Sequence, residues 1–320
     1  MSAAPPRVAV AVPVYNGEAF LEEALDALAA QTERRWAAVV VDNASTDRTA
    51  EIAARAAAAD PRVRVVRNAE NRGANGNFNR SAVLARETGA PYVAWAAHDD
   101  VRHPAYFARV LDALDARPDA VGAHSDVRLV DGAGAPFRHD PGLGGFDAGG
   151  GDVWRWDPAD ARALGHPAPA ARLGRFLEAK MGLWMIFGVF RADALAAVRP
   201  FAMPGVEDTV CAELLLRGPV LYVDEPLFDQ RLHAGSSRHL SRRDYIAYET
   251  GERPTARLLP SAGRALDFAR AVARAPLGPA ERARAGAALA RFAVGPQRLR
   301  TLVVPGPDNY LGLRWPRPAR

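Results

Sequence analysis

Asp99 and Asp100 stand side by side at the end of the apolar run that begins at Val93, directly after His98. The run fits a buried strand and is short for a helix. Carboxylates at the C-terminal edge of such a strand lie where open α/β sheets bind their ligands. Their oxygens suit a hard cation such as Mg²⁺ or Mn²⁺, which commonly bridges to substrate phosphates. An Asp-Asp pair ahead of a helix, here from Pro104 onward, can equally be a cap. These residues alone leave both readings open.

The elements that would position them form a regular series. Arg7 to Val14 reads as a buried strand, with Pro13 expected to stop its ladder. Tyr15-Asn16-Gly17 makes a turn, Glu18 opens a helix, and Phe20, Leu21, Leu25 and Leu28 give it helical period. Trp36 to Val41 is a second strand, closed by the polar stretch from Asp42 to Asp47, where Ser45 or Thr46 can cap a helix over Thr49 to Ala59. Val63 to Val66 is a third strand. A polar Asn/Gly loop over residues 68–79, a helix from Ser81 to Glu87 and the strand at Tyr92 follow. Such alternation predicts a largely parallel sheet covered on both faces. The polar strand endings then converge on one edge. Asp42 can accept a hydrogen bond from a base N–H or a ribose hydroxyl, and the glycines at 73 and 76 allow close backbone approach. Taken singly, each is a plain turn or loop. Together they describe a nucleotide site with a metal beside its phosphates.

The second half is less regular. A helix is predicted over Tyr106 to Leu114, and a strand over Ala120 to Val130 carries His124 and Asp126 as a structural pair. Residues 131–169, rich in Gly, Pro and Asp and with little periodicity, read as a long loop that is either a functional lid or disordered. Trp154 and Trp156 within it either stack on a sugar or base, or pin the loop to the core. Further expectations are a helix over Leu173 to Lys180, a strand over Trp184 to Phe190, a helix opened by Gly205 to Thr209, and strands over Leu221 to Val223 and Leu227 to Leu232. Beyond Ser241 the Ala/Arg-rich chain reads as an accessory helical tail broken at Pro276 and Pro279. Its Leu266, Phe268 and Val272, interleaved with arginines, face either a membrane surface or the domain.

Composition narrows the classes. The 320 residues are 49% hydrophobic, enough for one large α/β domain with an appended piece. The net charge of +4 does not signify nucleic-acid binding: Lys180 is the only lysine, and the Ala/Arg richness reflects the coding bias of a high-GC bacterial genome. The single cysteine, Cys211, reads as a buried inert thiol in a reducing compartment. The N-terminal apolar run is interrupted too early for a signal peptide, and Met181 to Phe190, the richest apolar stretch, is too short to span a membrane. A cytoplasmic location follows, with peripheral contact at the inner face of the membrane left open.

The motifs Val12-Pro13-Val14-Tyr15-Asn16-Gly17-Glu18, Val41-Asp42-Asn43-Ala44-Ser45-Thr46-Asp47, Asn71-Arg72-Gly73 with Asn79-Arg80, and Asp99-Asp100 resemble the family 2 glycosyltransferases of the GT-A fold. Order and spacing match from residue 7 to about 240. The resemblance implies a GT-A domain over 1–240, with a nucleotide-binding half (1–103) and an acceptor-binding half (104–240), followed by the tail over 241–320. It also implies roles. Pro13, Tyr15, Glu18 and Asp42 would hold nucleobase and ribose, and Asn71, Gly73 and Asn79 would line the nucleotide side. Asp99 would face the ribose or sugar, and Asp100 would bind Mg²⁺ or Mn²⁺. Glu207-Asp208 looks like the family's Glu-Asp pair, with Asp208 as general base and Glu207 beside the acceptor. Arg231-Leu232-His233 resembles the late Arg-x-His segment, making His233 a metal-ligand candidate. Trp184 is either an acceptor platform or core. His98 departs from the family pattern, since many members carry a further Asp there.

The expected reaction is inverting transfer of a sugar from a UDP- or dTDP-sugar to a saccharide, lipid-linked or natural-product acceptor. A nicotinamide dehydrogenase would need a Gly-x-Gly-x-x-Gly turn after the first strand, which Tyr15-Asn16-Gly17-Glu18 does not provide. A nucleotidyltransferase would be expected to carry a Gly-rich basic loop there. A non-catalytic nucleotide-binding scaffold is the alternative, and self-association is left open.

Overall fold

The computed structural model describes residues 4–147, 153–179, 183–201, 207–237, 240, 242–251 and 260–293. The N-terminal half runs β1 (Val8–Val14), α1 (Leu21–Ala29), β2 (Trp36–Asp42), α2 (Thr49–Ala59), β3 (Val63–Arg67), α3 (Gly73–Arg86) and β4 (Tyr92–Trp95). Next come β5 (Val101–Arg102), α4 (Tyr106–Ala116), β6 (Gly122–Val130), β7 (His139–Asp140), β8 (Gly145–Asp147), β9 (Val153–Arg155), α5 (Pro158–Ala163) and α6 (Pro169–Glu178). A 3₁₀ turn (Leu183–Phe187), β10 (Val189–Arg191), α7 (Ala192–Ala196), α8 (Glu207–Arg217) and β11 (Val220–Arg231) complete the sheet, and α9 (Arg242–Thr250), α10 (Pro260–Arg274) and α11 (Pro279–Ala293) follow it.

The main sheet has the order β3-β2-β1-β4-β10-β6-β11-β5. Its first four strands are parallel, as the alternating pattern predicts. β10 is antiparallel to both neighbours, and β5 pairs antiparallel with β11. Strand alternation divides the core. Val8, Val10 and Val12 face Leu21, Leu25, Phe107 and Leu111, while Ala9 and Ala11 share the other face with Ala82 and Ala85. Alanine against alanine brings α3 close to β1, and the Asn/Gly run at the start of α3 therefore sits directly over the strand ends.

Pro13 does not stop the ladder: it pairs in register with Val41, and Val14 with Asp42. Pairing with β4 ends at Ala11–Trp95, and Ala11 accepts the Ala96 N–H at 2.8 Å. Two residues on, Pro13 faces that same vacated side, where its missing N–H costs no hydrogen bond.

Other expectations are revised. The Asn/Gly stretch is helical from Gly73 onward, because Asn77 donates to the carbonyls of Val14 (3.4 Å) and Val41 (2.9 Å) rather than to its own backbone. Tertiary bonds thus override a weak helix propensity. The segment 131–169 forms the three-stranded sheet β7-β8-β9 and α5 among its described residues. Trp156 is 3% exposed and pins it to the core, donating to Asp126 Oδ1 at 2.8 Å. Residues 183–187 form a 3₁₀ turn instead of a strand. The two late strands are one, β11, with register shifts around Pro226. At α2 neither Ser45 nor Thr46 caps: Asp47 Oδ1 accepts the Thr49 N–H at 3.0 Å.

The C-terminal helices share the core. α10 rests on α8 and α11 on α6. Phe268, Ala271 and Val272 join the apolar cluster of Leu214 and Leu215, while Leu266 is exposed. The packing alternative therefore holds for Phe268 and Val272.

His124 and Asp126 do not pair. His124 Nδ1 lies 3.0 Å from the Ser125 carbonyl, so Nδ1 carries the proton, and Nε2 has no hydrogen-bond partner among the described residues. Burial lowers its pKa to about 4. Between pH 6.5 and about 4 the unfolded chain takes up this proton and the folded one does not. Folding stability should therefore fall by about 3 kcal/mol across that window as pH drops, and stop falling from this cause below it. Urea melts of wild type and His124→Phe at pH 7 and pH 4.5 check this: the variant should lack that increment.

Candidate functional site

Asp42, the last residue of β2, is fully buried. Its Oδ1 accepts the Ser45 N–H at 2.9 Å, whereas buried Oδ2 has no hydrogen-bond donor among the described residues. Arg67 Nε approaches Oδ2 only to 3.4 Å. A buried carboxylate oxygen without a donor demands an explanation, and a ligand N–H at this strand end supplies one.

The loops after β1 and β2 are laced together beside it. Asn16, at φ 49°, donates its N–H to Ser45 Oγ (2.9 Å) and accepts the Thr46 N–H (2.9 Å). Gly17 donates to Thr49 Oγ1 (2.8 Å) and Glu18 N–H to Asp47 Oδ2 (3.1 Å). Burial pushes the Asp47 carboxyl upward, but hydrogen bonds from Thr49 and Glu18 outweigh it and hold the group below its ordinary range. Glu18 returns the bond, its Oε2 accepting the Arg48 N–H at 3.1 Å. Tyr15 projects at the exposed rim.

An asparagine network forms the floor. Asn43 Nδ2 donates to Asn71 Oδ1 (2.9 Å) and the Gly73 carbonyl (3.2 Å), and its Oδ1 accepts from Arg72 N–H (3.0 Å) and Asn68 Nδ2 (2.7 Å). Asn71 Oδ1 also accepts the Gly73 N–H at 2.8 Å. Gly73, at φ 69°, takes a backbone conformation that other residues rarely adopt. Asn71 and Gly73 are thus welded to the residue following Asp42. Asn79 is not part of this site: it exchanges two hydrogen bonds with the Phe201 backbone (2.6 and 2.7 Å). Two residues past Asn77, whose side chain reaches the strand-end carbonyls, it is rotated by about 200° around α3 and faces Phe201 instead.

The acids lie in the turn between β4 and β5. Asp100 is 5% exposed, and its Oδ1 accepts the Arg231 N–H at 2.9 Å. Burial, and then the charge of Asp99, push its carboxyl well above the ordinary range. Burial also raises Asp99, but the hydrogen bond from His233 and the electrostatic influence of His98 outweigh it and leave Asp99 below its ordinary value. Asp99 therefore carries the charge, and Asp100 resists a second one so close by. His233 Nε2 lies 3.0 Å from Asp99 Oδ2, while its Nδ1 accepts the Gly235 N–H at 3.2 Å. Nε2 accordingly carries the proton and donates to Asp99. His233 reaches the acid turn, but as the partner of Asp99. Its ring packs on Phe20 at 4.6 Å. His98 lies against Gly17, where a Cβ would meet the imidazole at 2.6 Å.

Two arginines fix this turn. Arg231 donates to Glu23 Oε2 (2.6 Å), the Asp99 carbonyl (3.0 Å) and the Gly132 carbonyl (3.1 Å), with its guanidinium 4.9 Å from the Phe20 ring. Buried Arg102 donates to the carbonyls of Trp95 and Phe187 and faces Tyr106 and Phe228. Sequence reasoning missed Arg102 and the Glu23 anchor. The spacing of Arg102 two residues after the acids was the only available signal.

Among the described residues no three His, Cys, Asp or Glu side chains converge into a closed metal cage. Mg²⁺ commonly uses only one or two carboxylates and takes its remaining ligands from phosphate and water. A buried carboxyl whose ionisation is unfavourable without a counter-cation, with Asp99 beside it, fits that partial donor set.

Asp208 is buried in the first turn of α8. Lower on that helix, buried Glu213 bonds Arg199 and Arg274, and Arg199 reaches Asp267 at 3.0 Å, which braces α8 against α10. The side chain of Glu207 lies outside the described residues. Trp184 is 2% exposed, donates to Gln230 and packs on Phe146, Trp154 and Trp156. It is core, and the acceptor-platform expectation is corrected: the small β7-β8-β9 sheet covers it.

Residues 9–159 match the family model described as "Glycosyl transferase family 2". The uncharacterized glycosyltransferase EpsJ of Bacillus subtilis is 36% identical over 107 residues, covering 33% of this chain and 30% of that protein. An uncharacterized Sinorhizobium fredii protein, y4gI, is 36% identical over 131 residues, covering 40% of this chain and 14% of its own. The matched segments thus span less than a third of these relatives. Among solved structures, S. aureus TarS in complex with UDP has a TM-score of 0.60 at 16% identity, covering 93% of this chain and 75% of that one. The mannosyltransferase PcManGT from Pyrobaculum calidifontis, in complex with GDP-Man and Mn²⁺, has a TM-score of 0.53 at 20% identity, covering 94% and 75%.

Proposed function

We propose that this chain, whose residues 9–159 belong to glycosyl transferase family 2 and whose fold is GT-A, transfers a sugar from a UDP- or dTDP-sugar to an acceptor hydroxyl or amine with inversion. The observation that carries the reading is the buried Asp42 Oδ2, which has the Arg67 charge nearby but no hydrogen-bond donor among the described residues, on a strand that, like β4 with its acid turn, flanks β1. Uracil and thymine both present an N–H that such an oxygen accepts. Asn43, Asn71 and Gly73 hold the floor under the nucleoside, and the laced Asn16–Glu18 and Ser45–Asp47 loops form its rim. The complexes of TarS with UDP and UDP-GlcNAc support a nucleotide-sugar donor on this fold.

Asp100, with Asp99 beside it, would hold Mg²⁺ or Mn²⁺, which when bound supplies electrostatic stabilisation to the departing diphosphate. The PcManGT complex with Mn²⁺ supports such a site on this fold. His233 and the Arg231 backbone hold the two carboxylates in place. Asp208 acts as the base: the acceptor oxygen or nitrogen bonds the anomeric carbon and its proton passes to the Asp208 carboxylate. The sugar–phosphate bond breaks with its electron pair leaving on the diphosphate oxygen. One base and one displacement give inversion.

The acceptor, whether saccharide, lipid-linked or natural product, would approach from the side of α8 and β7-β8-β9. The enzyme is proposed to act in the cytoplasm, alone, in oligomers or at the inner membrane face; no described helix is long and apolar enough to cross a membrane.

Asp208→Asn tests the catalytic half of the reading. Removing the base should lower kcat by about 10²- to 10⁴-fold and leave UDP affinity within about twofold. Equal activity of variant and wild type in cells would instead favour a nucleotide-binding scaffold.

A further inference from the structure

α9 follows the His233 segment in the chain, yet it returns across the domain to rest on α3. It ends at Gly251, whose φ of 75° and N–H bond to the Ala247 carbonyl (2.8 Å) make an ordinary left-handed helix cap. Capping accounts for that conformation, but not for where the residue sits. A Cβ at Gly251 would lie 3.1 Å from the Gly73 amide nitrogen, 3.3 Å from the Arg72 carbonyl carbon and 3.5 Å from the Asn71 oxygen. Two left-handed glycines, 73 and 251, thus meet backbone to backbone. Gly89 makes the contrast: it has the same sign of φ (76°) and nothing within 4 Å of its ideal Cβ.

The turn that Gly251 touches is not free to move alone. Asn71 Oδ1 and the Gly73 carbonyl accept from Asn43, and Arg72 N–H donates back to it. Asn43 immediately follows Asp42. A displacement at residues 71–73 therefore reaches the carboxylate through one side chain.

We propose that α9 is an outer wall of the nucleobase site, with Gly251 as a positioning residue whose seating against the Asn71–Gly73 turn sets donor affinity. This rests on the nucleotide reading of Asp42 given above. It assigns residues 242–251, which lie outside the 9–159 segment matched by the family model, to donor binding.

Gly251→Asn is the test. Asparagine tolerates the left-handed conformation and the cap but brings the Cβ that must push the turn by a few tenths of an ångström. UDP affinity should fall about fivefold to tenfold, the donor KM should rise to match, and kcat should stay within about twofold. Gly89→Asn, equally left-handed but in open space, should change neither. Hydrogen exchange on the wild type provides a second readout without a variant: saturating UDP should slow exchange in 242–251 as well as in 71–73. Unchanged affinity in Gly251→Asn, or UDP protection that stops at 71–73, overturns the inference while leaving the nucleotide site intact. Failure of the wild type to bind UDP or dTDP would remove the site itself.

Discussion

Asp100→Asn should reduce sugar transfer by about 10³-fold while leaving the metal-free protein as stable as the parent or more so at neutral pH. Both halves follow from one environment. Asn keeps an oxygen where Asp100 Oδ1 accepts the Arg231 N–H at 2.9 Å, so the turn retains its anchor. What it removes is a charge that burial and Asp99 make unfavourable. An acid whose folded pKa is raised binds its proton more tightly folded than unfolded, so stability is lost as pH rises from the ordinary carboxylate range through the raised value. The wild type should show that loss, and the Asn variant should lack it. Adding Mn²⁺ to UDP should then raise the melting temperature of the wild type further and leave that of the variant where UDP alone puts it. A variant that melts well below the parent without metal would mean that the carboxylate is a structural cap and not a cation site.

Arg231→Met should destabilise the fold by about 3 kcal/mol, the scale of losing hydrogen bonds from a charged donor, and weaken UDP binding at the same time. The side chain is 4% exposed and holds together three otherwise separate pieces: α1 through Glu23, the acid turn through the Asp99 carbonyl, and the 131–134 turn through the Gly132 carbonyl. Glu23 is half-exposed and can be rehydrated, so most of the cost falls on the lost, part-buried bonds to the two carbonyls. Lysine should not rescue, because a single ammonium cannot reproduce three divergent bonds. Urea unfolding of wild type, Arg231→Met and Arg231→Lys measures this. A loss below about 1 kcal/mol would show that the arginine is dispensable to the turn.

The parallel half of the sheet was legible because its strands are continuous apolar runs with polar ends, the pattern that burial on both faces imposes. Asp42 and Asp99–Asp100 follow the parallel strands on either side of β1, Asn71 and Gly73 are bonded to Asn43, and His233, after β11, is bonded to Asp99. Less was legible where side chains bond to distant backbone. Asn77 reads as a loop former until its partners, the Val14 and Val41 carbonyls, are known. Asn79 sits in the same motif, but its bonds go to Phe201. Trp184 was ambiguous from sequence because tryptophan serves both sugar platforms and cores. Only the packing of β8 and β9 over it decides, and those strands lie in a Gly-rich stretch with no periodicity of its own. Glu23 carried no signal, and Arg102 only its spacing from the acids, because their roles depend on contacts across the sheet.

Asp42, the Asn71–Gly73 turn and the Asp99–Asp100 turn are proposed to form one nucleoside-diphosphate site. Calorimetric titration of UDP and dTDP into wild type and Asp100→Ala, with and without Mn²⁺, tests it most directly. The expected result is binding by the wild type that strengthens with Mn²⁺, and loss of that strengthening in the variant. No binding of either nucleotide to the wild type in the presence of Mn²⁺ would contradict it.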